Sequence, residues 1–149
     1  MGEVMFYHLE RQSLEDALPM LLDKCLKRGW TAVVEVPDPE RLAHLDRHLW
    51  VFRDDSFLPH ASEVDDPGTH QPVWLTTGEG NPSRAAVRIL AGGAPVREPG
   101  RYQRTLVLFN SDDTEALADA RATWKRLKTE GVPITYWQQN ARGGWEKKA

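Results

Sequence analysis

Residues 4–36 read VMFYHLERQSLEDALPMLLDKCLKRGWTAVVEV, and this stretch decides the fold class. Val4 to Leu9 is too continuously apolar for a strand with one wet face; strands buried on both faces of an α/β sheet look like this. Ser13 then stands as a helix N-cap, with Asp16 three places on as a weak capping-box partner. Leu14, Ala17, Leu18, Leu21, Leu22, Cys25 and Leu26 follow at helical spacing. Pro19 lies inside that pattern and lacks a backbone donor, which predicts a kink or a late helix start there. Gly29 ends the helix, and Trp30 to Val36 is a second strand of the same buried kind. Strand, helix and strand joined by short connections predict parallel pairing through a crossover.

The pattern continues outward. Asp38-Pro39 is a paired start signal, an N-cap followed by proline at the first helical position. Leu42, Leu45 and Leu49 come next at helical spacing. The stretch from Leu49 to His60 shows no clear period and gathers Trp50, Phe52 and Phe57. Val73 to Thr76 is a third strand. Within Arg84 to Leu90, Val87, Ile89 and Leu90 favour a strand over a short helix. Ala91 to Arg101, with three glycines and two prolines, is a loop. Thr105 to Phe109 is a buried strand. The expected fold is a single three-layer α/β/α domain over residues 1–149 with a mostly parallel central sheet.

The last third carries the feature most suggestive of function. Residues 111–139 read SDDTEALADARATWKRLKTEGVPITYWQQ. Ser111 is the expected N-cap, with Asp112, Asp113 and Glu115 in a first turn that favours carboxylates. Gly131 is the stop signal, Pro133 lies beyond it, and Ile134 to Trp137 reads as a strand. At about 100° per residue, Ala116, Ala120, Thr123 and Leu127 share one side of the helix. Arg121, Trp124, Lys125 and Lys128 share the adjoining side. A large aromatic thus sits at the seam between a buried stripe and three cations. Cations complement a helix C-terminus, but that does not account for mid-helix Arg121 or for the tryptophan between them.

The totals set bounds on partners and chemistry. With 149 residues, 40% apolar and 28% charged, the chain reads as a globular domain. A formal net charge of -3 argues against broad nucleic-acid binding, so any basic site is local. The single cysteine, Cys25, excludes an internal disulfide and reads as a buried thiol. No cationic leader precedes an apolar run, and no run approaches the ~18 residues of a membrane span, so a cytoplasmic location is expected. His44 and His48 stand at i and i+4, but position 45 is leucine and no third ligand is evident; no metal or other cofactor is expected. The first crossover, Glu10 to Ser13, has no glycine, and the Gly78 and Gly92-Gly93 segments lack the lysine and hydroxyl of a phosphate loop. No nucleophile or paired acid accompanies His60. Two rival readings, an α/β nucleotide-binding enzyme and a direct single-strand DNA binder, therefore lack a loop and a continuous basic groove respectively. Only one cationic cluster is visible in the sequence.

Several short stretches, in order, also carry a resemblance. These are Phe6-Tyr7-His8-Leu9, Leu18-Pro19, Leu21-Leu22, Gly29-Trp30, Leu49-Trp50, Ser56-Phe57-Leu58-Pro59-His60, Pro72-Val73-Trp74-Leu75 and Asn81-Pro82. Ala120-Arg121, Trp124-Lys125, Gly131 and Tyr136-Trp137-Gln138-Gln139 complete the set. Together they resemble the chi subunit of the bacterial DNA polymerase III holoenzyme, an accessory protein of the clamp-loader complex. The resemblance implies a non-catalytic bridge in DNA replication. One surface would bind the acidic, phenylalanine-ended C-terminal tail of single-stranded DNA-binding protein, through Arg121, Trp124, Lys125 and Lys128. Another would bind the psi subunit or another clamp-loader subunit, through Trp50, Phe52, Phe57, Leu58 and Pro59. DNA would then be reached only through the partner.

Overall fold

The computed structural model describes residues 3–10, 14–51, 60–62, 73–77, 86–91, 102–110, 113–139 and 145–148. Through these the chain runs β1 (Glu3–Leu9), α1 (Leu14–Lys27), β2 (Ala32–Glu35), α2 (Pro39–Val51), β3 (His60–Ser62), β4 (Val73–Thr76), β5 (Val87–Leu90), β6 (Arg104–Asn110), α3 (Thr114–Thr129), β7 (Ile134–Gln139) and β8 (Trp145–Lys147). The strands form one sheet in the order β3-β4-β2-β5-β6-β1-β7-β8. Every neighbouring pair is parallel except β7 with β8.

Helices lie on both faces because the strands alternate apolar residues between them. Leu18, Leu22, Leu42 and Leu45 of α1 and α2 pack on Val34, Leu75 and Ile89 on one side. On the other side, Ala120 and Leu127 of α3 pack on Val4, Phe6 and Phe109. The result is the α/β/α arrangement with a mostly parallel sheet. β1 is central, bonded to β6 on one edge and β7 on the other, which explains why its sequence is so continuously apolar.

Helix ends follow local chemistry. Asp38 caps α2, its Oδ1 accepting from the Arg41 amide at 2.8 Å, and Pro39 follows at the first helical position. Gly29 and Gly131 take φ of 76° and 79° after α1 and α3, left-handed conformations that glycine adopts without a Cβ clash. Of the two outcomes expected at Pro19, the late start does not occur: α1 runs through Pro19 from Leu14, the packing of Leu18, Leu21 and Leu22 outweighing one lost hydrogen bond. One expectation needs correcting. The N-cap of α3 is Asp113, not Ser111. Its Oδ1 accepts from the Ala116 amide at 3.0 Å, the reach a cap needs to satisfy an N3 donor. Asp113→Ala is expected to cost about 1 kcal/mol, seen as a lowered midpoint in urea with an unchanged slope.

Two strands are additions to the sequence reading. β3 falls at the end of the stretch without a clear period, and β8 is three residues long; neither is long enough to show alternation.

One polar cluster lies within the sheet. Val34 faces α1 and α2, so Glu35 beside it faces the opposite side, where it is 1% exposed. The Arg88 guanidinium on β5 donates to the Glu35 carboxylate through Nη2 and to the Tyr102 hydroxyl through Nη1 at 2.9 Å. Its side chain is 5% exposed.

Candidate partner-binding site

α3 lies across the face of the sheet formed by β6, β1 and β7, its cationic side turned away from the strands. Ala120 and Leu127 are buried, Trp124 is half-buried, and Arg121, Lys125 and Lys128 are exposed. The sequence therefore brings all four predicted residues onto one accessible face.

Trp124 is held by aromatic neighbours from the strands beneath. Its ring meets Phe6 edge-on at 5.4 Å between centroids and Tyr136 edge-on at 5.8 Å. Phe6 and Tyr136 lie nearly parallel at 6.5 Å. Edge-to-face pairs of this kind contribute about 0.5–1.5 kcal/mol each beyond area burial. The indole is thus a fixed wall with one side packed and the remainder open to solvent.

The cations differ in how they are engaged. Arg126 points into an ion pair with Glu130 at 3.5 Å. Arg121, Lys125 and Lys128 have no carboxylate partner among the described residues. Among the described residues, then, no carboxylate competes for the three cations that share a side with Trp124.

Two further residues join the site that the sequence reading did not select. The Tyr136 hydroxyl and His8 Nδ1 hydrogen-bond at 2.8 Å, and the His8 ring stacks on Phe109 at 5.0 Å. Glu10, just beyond β1, accepts from Gln138 Nε2 at 2.7 Å. Burial raises the Tyr136 phenol pKa; Arg121 pulls it down and Glu10 adds to the rise. Burial lowers the His8 pKa; Glu10 opposes this and Arg121 adds to it. Arg121 thus acts electrostatically on both. Parallel pairing of β1 with β7 makes Phe6 and Tyr136 register partners; residues so far apart in sequence give no local signal of this.

The histidine has a consequence for stability. A pKa lowered by folding means the unfolded chain takes up the proton more readily. The contribution of His8 is then unchanged above its ordinary value of 6.5 and becomes destabilising as pH falls below it. Thermal melts at about pH 7.5 and about pH 5.5 should show His8→Gln losing less stability on acidification than the wild type. Equal losses would contradict this.

The predicted second surface is only partly in view. Trp50 lies in α2, and nothing is described of its side chain; Phe52, Phe57, Leu58 and Pro59 lie outside the described residues. His44 is exposed on α2, and no group of three potential metal ligands occurs among the described residues. Among them, too, no helix is long and apolar enough to cross a membrane.

Taken together, the fold and this face define an α/β/α protein whose third helix offers an aromatic wall among exposed cations. Residues 1–135, which include all of α3, match the family described as DNA polymerase III chi subunit, HolC, and the chain belongs to that family. It is also similar to the probable DNA polymerase III subunit chi of Rickettsia prowazekii (strain Madrid E), at 23% identity over 154 residues, spanning 100% of this chain and 93% of that protein.

Proposed function

We propose that this chi-family protein is a single-domain, non-catalytic accessory subunit of the clamp-loader complex in the cytoplasm. In this reading α3 binds the acidic C-terminal tail of single-stranded DNA-binding protein, and this site reaches DNA only through that partner. The observation that carries it is the set of three exposed cations, without a carboxylate partner among the described residues, around the half-buried Trp124 on one helix face. A terminal carboxylate suits a bidentate guanidinium, the acids before it suit diffuse positive charge, and a phenyl ring suits an aromatic wall. Arg121 takes the first role, Lys125 and Lys128 the second, and Trp124 the third. A second surface, built from Trp50, Phe52, Phe57, Leu58 and Pro59, contacts psi or another clamp-loader subunit. Aromatic anchors of that kind commonly carry interface energy.

The supporting experiment is a pull-down of single-stranded DNA-binding protein with and without its last residues. Retention of the full-length partner and loss of the truncated one is the expected result; equal retention counts against the tail. Within the site, Lys128→Ala should weaken binding less than Arg121→Ala. Its effect should fade with added salt, because exposed charges are screened within about 10 Å at 0.1 M ionic strength.

A further inference from the structure

The face of the sheet opposite α3 holds a second cationic cluster. A cavity of about 320 Å³ opens beside α1, lined by Lys24, Arg28, Arg104, Tyr7, Trp30 and Trp137. Met5 and Leu106 give it an apolar floor. The Arg28 guanidinium carbon lies 5.1 Å from the centroid of the Trp30 ring, and that of Arg104 lies 4.6 Å from it. Tyr7 and Trp137 stack at 6.4 Å, and Trp145 meets Tyr7 edge-on at 4.9 Å. Because neighbours on a strand face opposite ways, Trp137 points to this side while Tyr136 points to α3. The two sites share no residue.

Charge makes the cavity more than a packing gap. Cations at a helix C-terminus account for Lys24 and Arg28 but not for Arg104, which arrives from β6. Arg28 and Arg104 both approach the Trp30 ring, so two positive charges gather about one wall of the cavity. Lys24, Arg28 and Arg104 have no carboxylate partner among the described residues, whereas Lys27 nearby pairs with Asp23 at 2.9 Å. Glu3 is the register partner of Arg104 but forms no ion pair with it. Burial pushes the Tyr7 phenol up to about 12 and raises the Cys25 thiol, so neither adds negative charge.

We propose that this cavity binds one nucleotide unit, its phosphate among Arg28, Arg104 and Lys24 and its base against the Trp137 indole. A guanidinium stacked on an aromatic ring keeps its in-plane N–H groups free, and their fork matches a phosphate. Three cations exceed the need of one carboxylate but match a phosphate monoester, which carries nearly two charges. Base–aromatic stacking tolerates any base. The volume lies at the small end of ligand sites, enough for one nucleotide and not for a length of strand. Side-chain cations here replace the glycine-loop amides that the sequence lacks. The nucleotide comes either free or as the phosphorylated end of a single strand.

The test uses the full chain and its tryptophan fluorescence. Probes are thymidine monophosphate, a 5′-phosphorylated oligothymidylate, the same oligonucleotide without phosphate, and inorganic phosphate. Saturable quenching by the phosphorylated oligonucleotide alone assigns a strand end; equal binding of the monophosphate assigns a free nucleotide. Arg28→Gln and Arg104→Gln should each weaken that binding at least about tenfold, with melting temperatures confirming the fold. Lys27→Gln, a neighbouring cation outside the cavity, should leave it unchanged. Any of three results would overturn the proposal. These are no saturable binding of nucleotide or phosphorylated oligonucleotide at about millimolar concentration, inorganic phosphate or the unphosphorylated strand binding as tightly, and full affinity surviving in the Arg28→Gln/Arg104→Gln double variant.

Discussion

Arg121→Ala is expected to weaken binding of the tail peptide at least about thirtyfold. Losing one partner of a charge-assisted contact costs ~2–5 kcal/mol when the other charge is left buried and unpaired, and each ~1.4 kcal/mol is a factor of ten. The loss should be in affinity and not in folding. Arg121 is exposed, alanine is the best helix former, and the buried stripe of Ala120 and Leu127 stays intact. Peptide titration beside thermal melts separates the two. Unchanged affinity, or a loss matched by a collapsed melting temperature, contradicts the role given to Arg121.

The largest stability effect is expected in the Glu35–Arg88 pair. Both side chains are buried, and the guanidinium also bonds the Tyr102 hydroxyl. Arg88→Ala takes the guanidinium away from a buried carboxylate, and breaking a buried ion pair in this way typically costs ~3–5 kcal/mol. For a chain of this size that lowers the melting temperature by on the order of 10 °C. Replacing both partners, as Glu35→Leu/Arg88→Met, removes both desolvation penalties and should recover most of the loss. A double variant no more stable than Arg88→Ala would show that the pair does more than balance its own charges.

Elements with strong local chemistry were legible from sequence. Asp38-Pro39 marks a helix start because one residue caps and the next fits the first turn. Gly29 and Gly131 mark helix ends because the chain there turns through positive φ. The four-residue side of α3 followed from helical spacing alone. What escaped depends on pairing between distant segments. In the cluster Asp112-Asp113, preceded by Ser111, several residues can cap, and only the backbone path selects Asp113. Glu35 within a run of alanine and valines is a sign that a buried cation must meet it, yet nothing local names Arg88. His8 and Tyr136 meet only because β1 and β7 pair in parallel. Lys24, Arg28 and Arg104 look like scattered surface cations until α1 and β6 are placed against the same tryptophan.

The central claim is that α3 reads the end of an acidic, aromatic-tipped tail. Its most direct test is calorimetric titration of the full chain with two peptides of the tail sequence, one complete and one lacking the final phenylalanine. In the proposed complex that residue supplies the ring walled by Trp124 and the carboxylate met by Arg121, and its removal takes both away. The account predicts saturable one-to-one binding of the complete peptide and a loss of at least about tenfold for the shortened one. Equal affinity for the two, with the same salt dependence, would mean that α3 attracts negative charge without recognising the tail, and would contradict the claim.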